Sequence, residues 1–291
     1  MAVYKRTYKV YNGPLSPAWS RFAVLTRYSL GTLFDSKLFT AYSLFCLLPF
    51  LAGTAQIYFA HSRTAAMLLD MHLNIQPDSN WFFVMLLIQS SLGFILMAWA
   101  TPGIVTRDFA NQALQLYFSR PLSRKEYILG KISVLVILLS CITWIPLLLL
   151  FGLQAQMEGN GWGWKNLYIV GAILVSSWLW IAVMSLLGLA LSVWVRWRIA
   201  ATGLILAVFF VLPGFGEAFN MVLSTHWGTL LNLSHSLQLV WWRLFRVERP
   251  FGSPVRAGVP IWSAWAAILT ACFIALLLLN KGLKAREVVR S

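Results

Sequence analysis

Residues that could do chemistry are concentrated in one short stretch. Between positions 101 and 131 the chain places Arg107, Asp108, Arg120, Arg124, Lys125, Glu126, Tyr127 and Lys131 in a sequence that is otherwise strongly apolar. Cations mixed with two carboxylates and a tyrosine suit recognition of a partner or of lipid phosphates. They do not make a hydrolytic centre. A phosphate-cradling loop needs Gly-x4-Gly-Lys followed by Ser or Thr; the nearest match ends at Gly130-Lys131, but Lys125 occupies the first glycine position and Ile132 follows. A His-Glu-x-x-His helix, the mark of zinc hydrolysis, does not occur. His61, His72, His226 and His235, with Met67 and Met71 near the first pair, fall in separate connections and repeat no ligand spacing. No metal is therefore expected, and no catalytic residue.

Those residues must be positioned by elements drawn from a chain that is 59% hydrophobic and 11% charged, where a soluble domain carries about 25% charge. Hiding that much apolar surface calls for a bilayer. A hydrocarbon core about 30 Å thick takes ~20 apolar helical residues. Six runs qualify: Leu38–Phe59, Trp81–Ala100, Ile132–Leu153, Leu167–Val195, Ile199–Val222 and Trp262–Asn280. They hold no Lys, Arg or Asp, and Glu217 is their one carboxylate. Glu217 and nearby Asn220 are the candidate pathway residues, because an ionisable group inside a membrane domain marks a route; the alternative is a carboxylate facing water at the membrane edge. Pro49, Pro146 and Pro213 fall inside runs and are expected to kink their helices without breaking them. Cys46, Cys141 and Cys272 lie in three different runs and serve as small apolar residues.

A net charge of +14 would suit nucleic acid in a soluble protein. Here the basic residues lie between the runs, where they report topology instead, and no nucleic-acid partner is expected. With the N-terminus in the cytoplasm, 17 of the 23 Lys and Arg fall in cytoplasmic segments and six outside, the bias that orients membrane proteins. Four of those six lie in the connection 224–260. There Leu230, Leu233, Leu237, Trp241, Leu244 and Phe245 recur at helical spacing, with Asn232, His235, Gln238, Arg243 and Arg246 on other faces. This predicts an amphipathic helix at the outer interface, or one dipping into it. A seventh span would put the basic tail outside, against the charge rule. Ser16-Pro17 predicts the start of a helix over 17–36 lying on the cytoplasmic face. The expected fold is all-α integral membrane: a segment 1–37 with an interfacial helix, a six-span domain 38–280, and a basic tail 281–291.

Within the connection 101–131 the pattern predicts a short amphipathic helix over 109–118, a turn enforced by Pro121, and a second helix that Ser123 caps with Glu126 as its capping-box partner. Such a helix-turn-helix suits force transmission to a docked partner; a membrane-surface helix touching lipid phosphates is the other reading. These residues also resemble the permease subunits of ABC type-2 transporters. The resemblance rests on Ser119-Arg120-Pro121-Leu122-Ser123-Arg124, then Glu126-Tyr127 and Gly130-Lys131, just before the third run. The six-span layout with an outer helical segment before the last span extends it along the chain. Asn111-Gln112-Ala113-Leu114-Gln115 departs from the family's usual Glu-x-Gly-Thr-Leu-Glu helix.

The resemblance implies a coupling helix within 107–118 that sits in a groove of a separate ABC ATP-binding subunit. It implies pairing with another permease copy or a homologue, location in a bacterial cytoplasmic membrane, and no cofactor in this chain, with ATP and Mg²⁺ held by the partner. Arg107, Asp108, Arg120, Pro121, Arg124, Glu126 and Tyr127 are then the partner-coupling residues. The alternative function is a non-transporting scaffold that uses the same loop to recruit a partner. A reporter fused after Ser291 is expected to register in the cytoplasm, and an external signal overturns the six-span topology.

Overall fold

The computed structural model describes residues 20–62, 76–110, 123–195, 197–247 and 260–287. Among them every regular element is helical. In chain order these are α1 (Arg21–Phe34), α2 (Lys37–Phe45), α3 (Leu48–His61), α4 (Ser79–Ala110), α5 (Arg124–Ile142), α6 (Trp144–Glu158), the single turn α7 (Trp162–Lys165), α8 (Leu167–Trp194) and α9 (Arg198–Leu223). A 3-10 turn (Trp227–Leu231), α10 (Leu233–Leu244) and α11 (Ile261–Glu287) complete the set. Six stretches are long and apolar enough to cross a bilayer: Lys37–His61, Ser79–Thr106, Lys125–Glu158, Leu167–Trp194, Arg198–Leu223 and Ile261–Gly282. They overlay the six expected runs, so the chain is an all-α, multi-pass integral membrane protein. The end of the bundle at which α1 lies is the proximal end, and the other the distal end.

α8 is the axis of the bundle. It carries no charged residue and packs against α4, α5, α6, α9, α10 and α11, the surroundings that a helix apolar on every face requires. Against α4 the approach is close because small residues sit at the contacts. A Cβ at Gly93 would meet the Trp180 ring at 2.9 Å, and two turns on, a Cβ at Gly188 would meet Met97 at 2.8 Å and Thr101 at 3.1 Å. The second, third and fourth spans form the core. The first, fifth and sixth are mostly exposed and turn their large apolar side chains outward.

The prolines interrupt the hydrogen-bond ladder of their helices to different degrees. Proline lacks the N–H that would reach back four residues, and its ring clashes with the carbonyl there. α2 stops at Phe45, four residues before Pro49, and α5 stops at Ile142, four before Pro146. The ladder lapses there and resumes within two residues as α3 and α6 of the same spanning stretches, with Cys46 and Leu47 still in helical backbone: the helices are kinked, as expected. Pro213 and Pro102 leave their helices continuous. At Pro102 the orphaned Ala98 carbonyl lies 3.3 Å from the Thr202 hydroxyl of α9, a neighbouring helix making good the lost bond.

One boundary differs from expectation. α4 does not end at Ala100 but runs on to Ala110, and the helix expected to start after Ser123 does so at Arg124 and continues without interruption into the third run at Ile132. The first and last parts of the connection 101–131 are therefore straight extensions of spanning helices, and Lys131 lies inside one. Residues 111–122, which carry most of the helix expected over 109–118 and the turn expected at Pro121, lie outside the described residues, as does Ser16-Pro17. The helix expected over 17–36 is present as α1, packed on α5 and α4 through buried Leu25 and Leu33.

After α9 the chain doubles back. Ser224 adopts a left-handed backbone (φ 48°), and the 3-10 turn descends beside α9, where the Gly228 N–H donates to Asn220 Oδ1 at 2.7 Å. Gly216 and Gly228 meet backbone to backbone: a Cβ on either would lie 2.2 Å from the other's carbonyl oxygen. Asn232 then caps α10 by accepting the His235 N–H at 3.0 Å. α10 climbs to the distal end, where the Phe245 ring meets Phe83, its carbonyl accepts from the Ser79 hydroxyl, and Arg246 lies over the Tyr168 ring at 4.5 Å. Twelve residues make a helix of ~18 Å, too short to span. The segment is a re-entrant hairpin, and the seventh-span alternative falls. Gly216→Ala is expected to cost about 2 kcal/mol or more through overpacking. Gly214→Ala, with nothing within 4 Å of its Cβ, should be neutral or stabilising; thermal unfolding in detergent compares the two.

Candidate functional site

The best-built polar site among the described residues lies at the proximal end, where α4, α5 and α1 meet. The Lys131 ammonium on α5 is buried, 3% exposed, and forms an ion pair with Asp108 Oδ2 on α4 at 2.7 Å. It also donates to the Ser29 hydroxyl of α1 at 3.0 Å and to the Ile104 carbonyl of α4 at 2.9 Å. An ammonium has three donors, and here each has an acceptor. The Tyr127 hydroxyl, one turn before Lys131, donates to the same Asp108 oxygen at 2.9 Å. Buried charge is tolerated only when paired and fully hydrogen-bonded, and this group meets both conditions.

The same turn of α5 receives α1. The Thr26 hydroxyl donates to the Gly130 carbonyl at 3.1 Å. A Cβ at Gly130 would meet Leu25 at 3.0 Å and the Phe22 carbonyl at 3.2 Å, so a residue without one lets the two helices close. Gly130-Lys131, the near-miss to a phosphate loop, thus has a structural task in each position. At the head of α5 the expected capping box is present: Ser123 Oγ accepts the Glu126 N–H at 3.3 Å, and the Glu126 carboxylate accepts the Ser123 N–H at 2.6 Å.

Of the residues singled out in the sequence, Asp108, Glu126 and Tyr127 belong to this junction. Arg120 and Pro121 lie outside the described residues, as do the side chains of Arg107 and Arg124. Glu217 and Asn220 are not brought together. Asn220 is buried under the 3-10 turn and engaged with Gly228, while Glu217 is exposed on the neighbouring face, close enough to His235 to act on its charge. Of the histidines, His61 bonds to Glu158 at 2.9 Å, joining α3 to α6, and His72 lies outside the described residues.

The family model for ABC-2 family transporter proteins matches residues 32–279. The chain belongs to the ABC-2 transporter family. No curated protein matches it. As an ABC-2 permease it is the membrane-spanning subunit of a transporter and not the catalytic one, and the family implies an ABC ATP-binding partner. The matched stretch holds Asp108, Tyr127, Gly130 and Lys131, while Thr26 and Ser29 of α1 precede it.

Several residues of this ABC-2 permease escaped sequence reasoning. Lys131 counts there as one more loop cation; its signal is the spacing Tyr127, Gly130, Lys131, which puts all three within one helical turn. A second polar level lies deeper. Gln89 is fully buried, and neither of its amide atoms nor the buried hydroxyls of Ser176 and Ser177 has a partner among the described residues. The contact of Gly93 with Trp180 places Gln89 and Ser176, each one turn earlier on its helix, at a similar depth. Gly93 also faces Leu139, so the kink at Thr143 lies at that depth too. Removing one member of the buried pair, as in Lys131→Met or Asp108→Leu, is expected to cost about 3–5 kcal/mol. The double variant should recover most of that loss, and Tyr127→Phe should cost about 1.5–3 kcal/mol, a hydrogen bond to a charged group. Denaturation of the purified variants in detergent measures all four.

Proposed function

We propose that this chain is the permease of an ATP-driven exporter, coupled through residues 107–131 to a separate ATPase subunit. The proximal end faces the cytoplasm, as the distribution of Lys and Arg favours, and both termini lie there. The observation that carries the reading is the junction of Asp108, Tyr127, Lys131 and Ser29. The segment 111–122 leaves α4 beside Asp108 and enters α5 a few residues before Tyr127, so a push on it is delivered to α4, α5 and α1 together.

ATP and Mg²⁺ belong to the partner, whose closure on nucleotide supplies the push. Arg107, Arg120, Pro121 and Arg124 form the surface that meets it, while Asp108, Glu126 and Tyr127 hold that surface's two anchoring helices. A second permease, identical or homologous, completes the transporter by covering exposed apolar faces of the peripheral spans. The two-state bias of such a machine requires the partner to bind one arrangement of the helices better than the other. An ATP-binding subunit is expected to co-purify with the intact chain in gentle detergent and to be lost on Arg120→Glu or deletion of Pro121. Absence of any nucleotide-binding protein from the intact complex overturns the proposal in favour of a scaffold.

A further inference from the structure

We propose that His61 and Glu158 form a proton-operated clasp between the distal halves of the first and third spans, closed while the His61 ring carries two protons and loosened when it loses one. On the proposed orientation the distal end faces outside, so the clasp senses the pH there and not that of the cytoplasm. The Nδ1 atom of His61, at the tip of α3, lies 2.9 Å from the Ile57 carbonyl, and Nε2 lies 2.9 Å from Glu158 Oε2 at the end of α6. A carbonyl and a carboxylate only accept hydrogen bonds, so each ring nitrogen must donate. A histidine with a hydrogen on both is the imidazolium. Gln154, 1% exposed, donates through its amide to the same Glu158 oxygen at 3.2 Å, which suits an ionised carboxylate.

The clasp lies where it has leverage. Kinks at Cys46–Leu47 and at Thr143 divide the first and third spans, so α3 and α6 are each hinged on their proximal halves. α3 packs mainly on α6 and more lightly on α4. It is held to them by Gly53, whose Cβ would meet Leu150 of α6 at 3.0 Å, by Gln56, whose Oε1 accepts the Trp81 indole N–H at 2.9 Å, and by the clasp at its tip. His61 is eight residues beyond Gly53, about 12 Å along the helix. With a single proton the ring serves one of its two acceptors, not both, and the attraction between opposite charges ends. The tip of α3 is then free to part from α6, while Gly53 and Gln56 keep its earlier turns in place. The two side chains are 18% and 45% exposed, so the proton exchanges with water at the rim.

The surroundings hold few other charges. Glu158 is the one ionisable side chain on α6, and Tyr58 is the other on α3. At this end of the elements packed against the two helices stand Asp78, Lys165 of α7, and Tyr168 of α8 beneath Arg246. Asp78 is engaged in capping α4, its carboxylate accepting the Trp81 N–H at 2.9 Å. Arg63, Asp70 and His72 lie outside the described residues. Substitution of His61 alone separates its titration from any of theirs.

The test uses the full-length chain in nanodiscs, with Cys46, Cys141 and Cys272 changed to Ala and spin labels at Tyr58→Cys and Gln156→Cys, both exposed positions. The distance between the labels is measured by electron–electron double resonance from about pH 5 to about pH 9, which brackets histidine titration. A single short distance is expected on the acid side of one transition and a longer or broader one beyond it. The ratio of the long to the short population should rise by up to about tenfold per pH unit, the limit for one proton. His61→Gln should abolish the transition, and His61→Lys, charged throughout, should hold the short distance at every pH. A distance indifferent to pH, or one that changes equally in His61→Gln, overturns the proposal. If His61→Gln does not fold, the nitrogen NMR spectrum of the His61 ring decides, read in a chain whose His72, His226 and His235 are changed to Gln. Two protonated ring nitrogens where the distance is short support the clasp, and one overturns it. The measurement involves neither nucleotide nor ATPase, so its failure leaves the partner reading standing, and failure of that reading leaves the clasp standing.

Discussion

A single ammonium group inside an apolar bundle governs the proximal end of this protein. Lys131 lies about two turns into the third spanning helix, where an unpaired cation would be strongly disfavoured. Its three hydrogens therefore dictate what must surround it: a carboxylate, a hydroxyl and a free lone pair on a backbone carbonyl, each from a fixed direction. Asp108 can supply the carboxylate only if α4 stays helical for two turns beyond Thr101, and Ser29 can supply the hydroxyl only if α1 lies along α5. The helix lengths, the docking of α1 and the burial of Tyr127 are consequences of that one requirement.

The distal end is held differently. Between the 3-10 turn and α9 there is no ion pair among the described residues; the contact is backbone against backbone through Gly216 and Gly228, with Asn220 bonding to the latter. Electrostatics is directional and specific where the chain is proposed to receive a push. Shape and the absence of side chains serve where a short helix has to be held inside a bilayer. An exposed cation contact of the hairpin, Arg246 over Tyr168, lies at the rim, where a charge can remain hydrated.

What could be seen in the sequence follows the same division. Spans are visible because apolar length is a one-dimensional property, and the capping box of Ser123 and Glu126 is visible because its partners are three residues apart. The family is visible because its motif is local as well. The extension of α4 to Ala110 is not, since Asp108 and Lys131 look like loop residues until their partners on other helices are known. Pairing over a separation of 23 residues, or of 102 in the case of Ser29 and Lys131, leaves no periodic trace. Pro49 and Pro146 were expected to bend their helices and do, and how far such a residue interrupts the ladder depends on what its neighbours offer the orphaned carbonyl. Thr202 serves Ala98 in that way, and in the described bonds no side chain does so for Phe45 or Ile142. Asn220 looked like part of a route because an amide in an apolar run carries no mark of what it bonds to.

The interrupted helices have a mechanical consequence. A continuous helix is a stiff rod, and a displacement at one end reaches the other; a helix kinked at mid-depth is two rods with a joint. The first and third spans are jointed at Cys46–Leu47 and at Thr143, whereas α4 and α8 run through unbroken. A displacement delivered to the proximal halves α2 and α5 can therefore be absorbed at mid-membrane, leaving α3 and α6, tied together by His61 and Glu158, at rest. On the proposed coupling, a stroke across the bilayer would be carried by the two unbroken helices, α4 and the axial α8 packed against it.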